Sequence, residues 1–87
     1  MRVVFTDAFR RDYQDLPDYV QQALDKALKF LSGGVRHPSI RMKKLPGTEI
    51  WYGRVTRAYR FTLQLNGDVC LLRRVGTHSI LDAERRR

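Results

Sequence analysis

Hydrophobic positions recur with two different periods along this chain, and the change of period separates a helical part from a strand part. The clearest helical stripe has apolar residues at spacings of four, four and three, namely Val20, Leu24, Leu28 and Leu31. This spacing places them on one face of an amphipathic helix. Pro17 suits the first position of that helix, because its missing N–H would have no partner there, and Gly33-Gly34 ends it.

The residues before this helix predict a strand and a shorter helix. Polar and apolar residues alternate over positions 2–6, as in a half-buried strand. Asp7 can cap a short helix that carries Phe9 and Tyr13 on one side. Leu16-Pro17 then interrupts the helix, so the N-terminal part is predicted to be a strand followed by a two-helix hairpin.

After the turn signal Pro46-Gly47 the hydrophobic period becomes two. Residues 50–56, 59–65 and 69–75 are predicted strands, and Asn66-Gly67-Asp68 predicts a hairpin because Asn-Gly tolerates positive φ at both turn centres. The order of elements predicts an α+β fold, with the N-terminal strand and helix hairpin packed on one face of a small, mainly antiparallel, four-stranded sheet. Residues 1–87 are expected to form a single domain.

Strand alternation predicts which side chains lie on each face of this sheet. The side chains expected to face the helices are Trp51, Val55, Phe61 and Leu63. Arg54 and Arg60 are expected on the other, open face of neighbouring strands. Together with the phenol of Tyr52 they could hold a phosphodiester and neutralise negative charge that develops on it. A solvated polar face is the alternative interpretation.

Few other residues suggest chemistry. His78 follows the last predicted strand, and because histidine is the side chain suited to proton transfer near neutral pH, it is a candidate proton carrier beside the arginines. Cys70 lies between apolar neighbours and is predicted to be a small buried residue rather than a nucleophile. One Cys and two His without paired spacing do not make a zinc site, so neither a metal nor a cofactor is expected.

The composition adds a strong positive charge. Seventeen Lys plus Arg against nine Asp plus Glu leave a formal net charge of +8, which favours a polyanion or an acidic partner. Most of the excess is arginine, whose planar fork can hold a phosphate through two hydrogen bonds, so RNA is the expected target. No stretch approaches the roughly 18 apolar residues of a membrane span, and a cytoplasmic location without membrane contact is expected.

Short motifs follow the opening strand and the broken helix hairpin in a set order: Lys44-Leu45, Trp51-Tyr52-Gly53-Arg54-Val55, Tyr59-Arg60-Phe61, Asn66-Gly67-Asp68 and Val75-Gly76-Thr77-His78-Ser79. Over nearly the whole chain this order resembles the RelE/ParE superfamily of bacterial toxins from toxin–antitoxin pairs. The segment His37-Pro38-Ser39-Ile40-Arg41 is similar to one found in small cytotoxin members, and Gly-Thr-His-Ser is similar to the YafQ-like branch.

The resemblance implies metal-independent cleavage of messenger RNA, usually on the ribosome, held off by an acidic cognate antitoxin in a hetero-oligomer. The ribose 2′-OH would attack the adjacent phosphate and expel a 5′-hydroxyl. Arg60 would bind the scissile phosphate, Arg54 would add charge stabilisation, and His78 would act as general acid or base. Tyr52 would stack on a base or orient the phosphate. Further contacts to RNA are expected from Lys43, Lys44, Arg57, Arg73 and Arg74.

The chain also departs from the family pattern. It has no Tyr after Tyr59, whereas the RelE-like branch has one near its C-terminus, and it lacks further His and Asp residues of the YafQ-like branch. ParE-like members use the same scaffold to inhibit DNA gyrase by binding. A gyrase-binding toxin and a degenerate RNA-binding member therefore remain alternatives. His78 separates them, because only an RNA-cleaving toxin has a use for a proton carrier beside the arginines.

Overall fold

The computed structural model describes residues 1–34 and 38–86. Its strands are β1 (Arg2–Phe5), β2 (Lys43–Lys44), β3 (Ile50–Arg54), β4 (Tyr59–Asn66) and β5 (Val69–Thr77). Its helices are α1 (Asp7–Gln14), α2 (Asp18–Ser32) and α3 (Ser79–Arg85), with a 3-10 turn at Pro38–Ile40. Residues 35–37, which include His37 of the segment His37-Pro38-Ser39-Ile40-Arg41, lie outside the described residues, as does Arg87. No helix in the described ranges is long and apolar enough to cross a membrane.

The five strands form one sheet in the order β1-β5-β4-β3-β2. β1 lies parallel to β5, and every other neighbouring pair is antiparallel. The predicted α+β class and the mainly antiparallel sheet are confirmed. The sheet has one strand more than the four predicted, because Lys43–Lys44 pairs with Tyr52 and Trp51 of β3. A strand of two residues is too short to show the alternation by which strands are recognised.

The main core lies between the sheet and the pair of helices α1 and α2. The predicted stripe of α2 packs here: Val20, Leu24 and Leu31 are fully buried, and Leu28 packs beside them. From the sheet side, the core contains the buried Phe61 and Leu63 together with the partly buried Trp51 and Val55. The alternation predicted for β3 and β4 is therefore confirmed.

The β4–β5 hairpin turns differently from the prediction. Asn66 pairs with Val69, so the two turn centres are Gly67 and Asp68. Among the described residues of the turn only Gly67 has a positive φ, at 58°. Positive φ at the first centre alone is the signature of a type II′ turn, whereas positive φ at both Asn66 and Gly67 was expected. The predicted hairpin is present, but its turn is shifted by one residue.

Helix α3 forms a second, smaller layer on the face of the sheet opposite to α1 and α2. Ile80 and Leu81 of α3 are buried in a cluster with Leu45, and Tyr52 packs against them. Thr62, the cross-strand partner of Tyr52, is fully buried on this face as well. The expectation that this face is open is therefore wrong beneath α3. The helix was missed because its seven residues mix charged and apolar positions, too few to show a helical period.

Gly53 occupies a place in β3 where no side chain fits. It lies opposite Phe61, and a Cβ at this position would come within 2.6 Å of Phe61 Cζ and 2.7 Å of Ile40 Cγ2. Both neighbours are fully buried, so neither can move without disturbing the core. Close approach of the strand to the core therefore explains why glycine stands between the two site residues Tyr52 and Arg54.

We expect Gly53→Ala to destabilise the protein by about 1–3 kcal/mol, the usual cost of overpacking a core, measured as the free energy of unfolding in urea. Gly33→Ala is the matched control, because a Cβ at Gly33 meets only the Phe30 carbonyl oxygen at an ordinary 3.5 Å. Its free energy of unfolding should stay within about 1 kcal/mol of the parent value. Equal stability of the two variants would contradict the close contact at Gly53.

Candidate functional site

A cationic pocket lies where the second face of the sheet meets the start of α3. Its volume is about 190 Å³. The side chains that line it are Arg41, Lys43, Tyr52, Arg54, Arg60, His78 and Leu81. Four of these are basic, one is an imidazole and one is a phenol, and no carboxylate is among the described lining residues. The pocket thus suits an anion.

Sheet pairing brings the basic residues of this pocket together. Arg54 of β3 and Arg60 of β4 are direct cross-strand partners, which places both side chains on the same face. β2 is the other neighbour of β3, and its Lys43 is the cross-strand partner of Tyr52. His78 joins them because it lies in the one-residue turn between β5 and α3. The structure therefore assembles all three predicted catalytic residues, Arg54, Arg60 and His78, around one pocket.

The guanidinium of Arg60 is held in place by the turn that precedes it. Its Nη1 donates to the carbonyl oxygens of Thr56 at 2.6 Å, Tyr59 at 2.9 Å and Arg57 at 3.2 Å. Within the described part of the chain, Nε and Nη2 donate no hydrogen bond to the protein. One edge of the guanidinium is thus anchored, and the remaining N–H groups are available to a ligand.

The pocket carries unbalanced positive charge. Burial lowers the pKa of Arg60, the nearby charge of Arg54 lowers it further, and Arg41 adds to the effect, while Tyr52 acts in the opposite direction. A lowered pKa of a basic group means that its charged form is destabilised by its surroundings. Arginine nevertheless stays protonated near neutral pH. An anion bound between these side chains would relieve the repulsion that they exert on each other.

Arg41 is a lining residue that was not predicted from the sequence. Its φ is 52°, in the left-handed region, which typically costs a residue other than glycine about 1–2 kcal/mol. Such strain often occurs at functional sites. Arg41 lies between the 3-10 turn and β2, in a connector without alternation, so no periodic signal could have placed it. Its only sequence signal is its place in the basic segment after Pro38.

Of the residues predicted to contact RNA, Lys43 and Tyr52 line the pocket, and the other four lie elsewhere. Lys44 is 3.6 Å from Glu49 in an exposed ion pair, and Arg57 is exposed in the turn between β3 and β4. Arg73 and Arg74 are held by carboxylates. Thr62 pairs with Arg74 and Leu63 with Leu72, so Arg73 is an extra residue that forms a one-residue bulge in β5.

Each of these two arginines fixes a helix to the sheet. Arg74 donates to Asp12 of α1 from Nε at 2.6 Å and from Nη2 at 3.2 Å, and Asp12 also accepts from the Val75 N–H at 3.1 Å. The hydrogen bond with Asp12 raises the pKa of Arg74. Arg73 donates in the same two-pronged way to Glu84 of α3. Their guanidiniums are thus already occupied by protein partners.

Two further observations bear on the chemistry, one on the cysteine and one on possible metal ligands. Cys70 is fully buried, as predicted, and burial raises the pKa of its thiol to about 11, so the thiolate needed for nucleophilic attack is scarce near neutral pH. Among residues 1–34 and 38–86, no three His, Cys, Asp or Glu side chains lie close enough to hold a metal ion together.

The fold is that of the small RelE/ParE toxins, which confirms the resemblance predicted from the sequence motifs. A chain of the RelB–RelE antitoxin–toxin complex from Methanococcus jannaschii matches with a TM-score of 0.78 and 23% identity, covering 92% of this chain and 96% of that one. The YoeB/ParE toxin from Agrobacterium tumefaciens matches with a TM-score of 0.76 and 18% identity, covering 90% and 99%.

A chain of the RelBE2 toxin–antitoxin complex from Mycobacterium tuberculosis matches with a TM-score of 0.70 and 26% identity, covering 88% of this chain and 96% of that one. No family model matches the sequence, and no curated protein matches it at a significant level. Likeness at these identities concerns the fold, so the chemistry has to be derived from the residues of the pocket.

We expect inorganic phosphate to raise the melting temperature of the protein relative to chloride at equal ionic strength. At ten times its Kd a single bound anion adds about 1.4 kcal/mol, or very roughly 6–11 °C for a chain of this size. Arg54→Gln should itself raise the melting temperature, because it removes a charge that repels Arg60, and should abolish most of the response to phosphate.

The control for this experiment is Lys26→Gln, which removes the same charge from the exposed surface of α2. This variant should keep the phosphate response of the parent protein. Since phosphate also stabilises proteins by exclusion from their surface, only the difference between the two variants counts. An equal response in both would show that phosphate does not bind between the arginines.

Proposed function

We propose that this protein is the toxin of a toxin–antitoxin pair and that it cleaves messenger RNA in the cationic pocket without a metal ion. The observation that carries the proposal is the joining of Arg54, the anchored Arg60 and His78 around one pocket that no described carboxylate lines. The pocket lies on a fold that this chain shares with solved toxins.

RNA suits this pocket because it carries its own nucleophile. In the proposed reaction the 2′-oxygen forms a bond to the adjacent phosphorus, the bond from phosphorus to the 5′-oxygen breaks, and one proton passes from the 2′-OH while another reaches the 5′-oxygen. The protein has to move protons and stabilise the negative charge on the phosphorane oxygens. None of these tasks requires a nucleophilic side chain.

Each polar lining residue has a place in that reaction. The free N–H groups of Arg60 bind the scissile phosphate, and Arg54 opposite it stabilises the additional negative charge. His78 acts as general acid or base at one of the two ribose oxygens. Tyr52 stacks on a base or orients the phosphate. Arg41 and Lys43 extend the positive surface toward the neighbouring RNA backbone.

The proposed partners follow from the charge of the protein and from a second surface. An apolar groove of about 340 Å³ between α1 and α2 is lined by Phe5, Phe9, Tyr13 and Leu28, with the polar side chains Arg10, Gln14 and Asp25 beside them. Phe5 remains exposed there, and the Arg10 guanidinium lies 5.8 Å from its ring centroid. An apolar groove on a protein with a net charge of +8 suits an amphipathic, acidic antitoxin helix, so we propose a toxin–antitoxin hetero-oligomer. Its other partners are messenger RNA and the ribosome, in the cytoplasm.

His78→Ala should lower RNA cleavage by about 10²- to 10⁴-fold, the usual worth of general acid–base transfer. Arg60→Ala should cost at least about 10²- to 10³-fold, and Arg60→Lys should not restore full activity, because the ammonium loses the two-pronged geometry. The measurements are growth arrest and mapped messenger RNA ends in expressing cells, together with cleavage of RNA by the purified chain in excess EDTA, where activity should persist. Lys26→Ala, on the surface of α2, is the control.

One outcome would replace this proposal with the gyrase-binding alternative. In this outcome growth arrest persists in both His78→Ala and Arg60→Ala, and DNA is damaged. New RNA ends are absent even for the parent protein. A chain that binds RNA, produces no new ends and arrests no growth would instead be the degenerate RNA-binding member.

Expression of the chain alone should arrest growth of a bacterial host, and co-expression of the proposed acidic antitoxin should restore growth. The apolar groove predicts where that protein binds: Phe5→Glu should weaken rescue, since it places a negative charge where an acidic helix would pack, while leaving toxicity intact. The readouts are colony counts and co-purification. A chain that accumulates in folded form without harm to the host would remove the main support for the toxin assignment.

A further inference from the structure

The buried ion pair between β5 and α3 has a geometry that fixes direction as well as distance. Arg73 donates from Nε to Glu84 Oε2 at 2.8 Å and from Nη2 to Oε1 at 3.2 Å. Its Nη1 lies 3.4 Å from Gln64 Oε1. The side chains of Glu84 and Arg73 are only 5% and 17% exposed. A two-pronged pair of this kind holds both partners in one relative orientation.

This pair closes a loop around His78. β5 ends at Thr77, His78 makes the turn, and α3 begins at Ser79. Glu84 then returns to Arg73, eleven residues earlier in the chain. The backbone of His78 is thus fixed between the strand and the docked helix, whose Leu81 N–H donates to the His78 carbonyl at 3.0 Å.

The position of α3 depends on contacts outside the helix. A helix of seven residues is too short to be stable by itself. Ile80 and Leu81 bury apolar surface, but apolar contacts are not directional and would allow the helix to slide or rotate. Leu81 also lines the pocket, so any such movement would change the pocket wall together with the place of His78.

A gain in folding stability does not by itself explain the Arg73–Glu84 ion pair. Replacing a buried ion pair by well-packed apolar side chains is often neutral or stabilising. Its particular contribution is the orientation that two parallel hydrogen bonds impose. We infer that the Arg73–Glu84 ion pair docks α3 in the one orientation that keeps His78 beside Arg60, so that Arg73 and Glu84 are positioning residues for catalysis. This inference rests on the function proposed above, in which His78 carries a proton.

The first test combines Glu84→Gln with His78→Ala. Glu84→Gln should lower kcat for RNA cleavage by about 10- to 100-fold with little change in KM, since a displacement of about 1 Å can cost 10²-fold. In the His78→Ala background the same change should cause no further loss. Asp82→Asn is the control, because it removes an exposed carboxylate from the same helix and should leave kcat unchanged. Losses that multiply in the two backgrounds would overturn the inference.

A second variant covers the case in which Glu84→Gln fails to fold. Arg73→Met combined with Glu84→Leu replaces the pair by apolar side chains, and should keep the cooperative unfolding and melting temperature of the parent protein within a few degrees. Its kcat should nevertheless stay reduced, because the orientation is lost. A parent-like kcat in this folded double variant would show that the ion pair is not needed for positioning.

A third measurement is independent of RNA cleavage. The ring signals of His78 in NMR spectra should shift or split in Glu84→Gln and remain unchanged in Asp82→Asn. Unchanged His78 signals in Glu84→Gln would overturn the inference whatever the protein cleaves. Shifted signals in a protein whose parent form cleaves no RNA would instead support the positioning contact and refute the proposed function, so the two failures are distinguishable.

Discussion

β5 is the strand to which helices on both faces of the sheet are attached, and one extra residue keeps both halves of this strand in the main core. Without the bulge at Arg73, strand alternation would place Leu72 and Val75, which are three positions apart, on opposite faces of the sheet. With it, Leu72 and Val75 both enter the main core, while Arg74 reaches Asp12 of α1 and Arg73 reaches Glu84 of α3. One irregular strand is therefore joined to a helix on either side.

The attachment of α3 changes the character of the second face. Tyr52, Arg54 and Arg60 would otherwise lie on an exposed sheet, where water would screen their charges. Because α3 covers part of that face, they line a pocket that is partly shielded from solvent, and the burial of Arg60 lowers its pKa. An interaction between the pocket and a phosphate is stronger in such surroundings than on an open surface.

The basic side chains that form the pocket repel one another. Arg54 and Arg60 are directly opposite one another, an arrangement that is unfavourable for like charges, and Arg41 stands nearby in a strained backbone conformation. The main core, with Phe61 and Leu24 fully buried at its centre, has to offset this cost. Proteins commonly accept such local instability at sites that bind or transform a ligand, which agrees with a pocket prepared for an anion.

The sequence alone determined those features that depend on short-range periodicity. The α2 stripe, the hairpin, the core side of Phe61 and Leu63, and the shared face of Arg54 and Arg60 all follow from residues a few positions apart, because helices and strands repeat at 3.6 and 2 residues. The order of motifs also predicted the RelE/ParE fold.

The tertiary structure decided what depends on distant partners. Arg74 and Asp12 are 62 residues apart, so no local pattern distinguishes this arginine from one free to bind RNA. The bulge at Arg73 breaks the alternation on which sidedness rests, and α3 is too short to show a period of its own. Arg41 reaches the pocket through a backbone conformation that its residue type does not favour. Each of these depends on which surfaces meet after folding, and that information is not contained in any short window of residues.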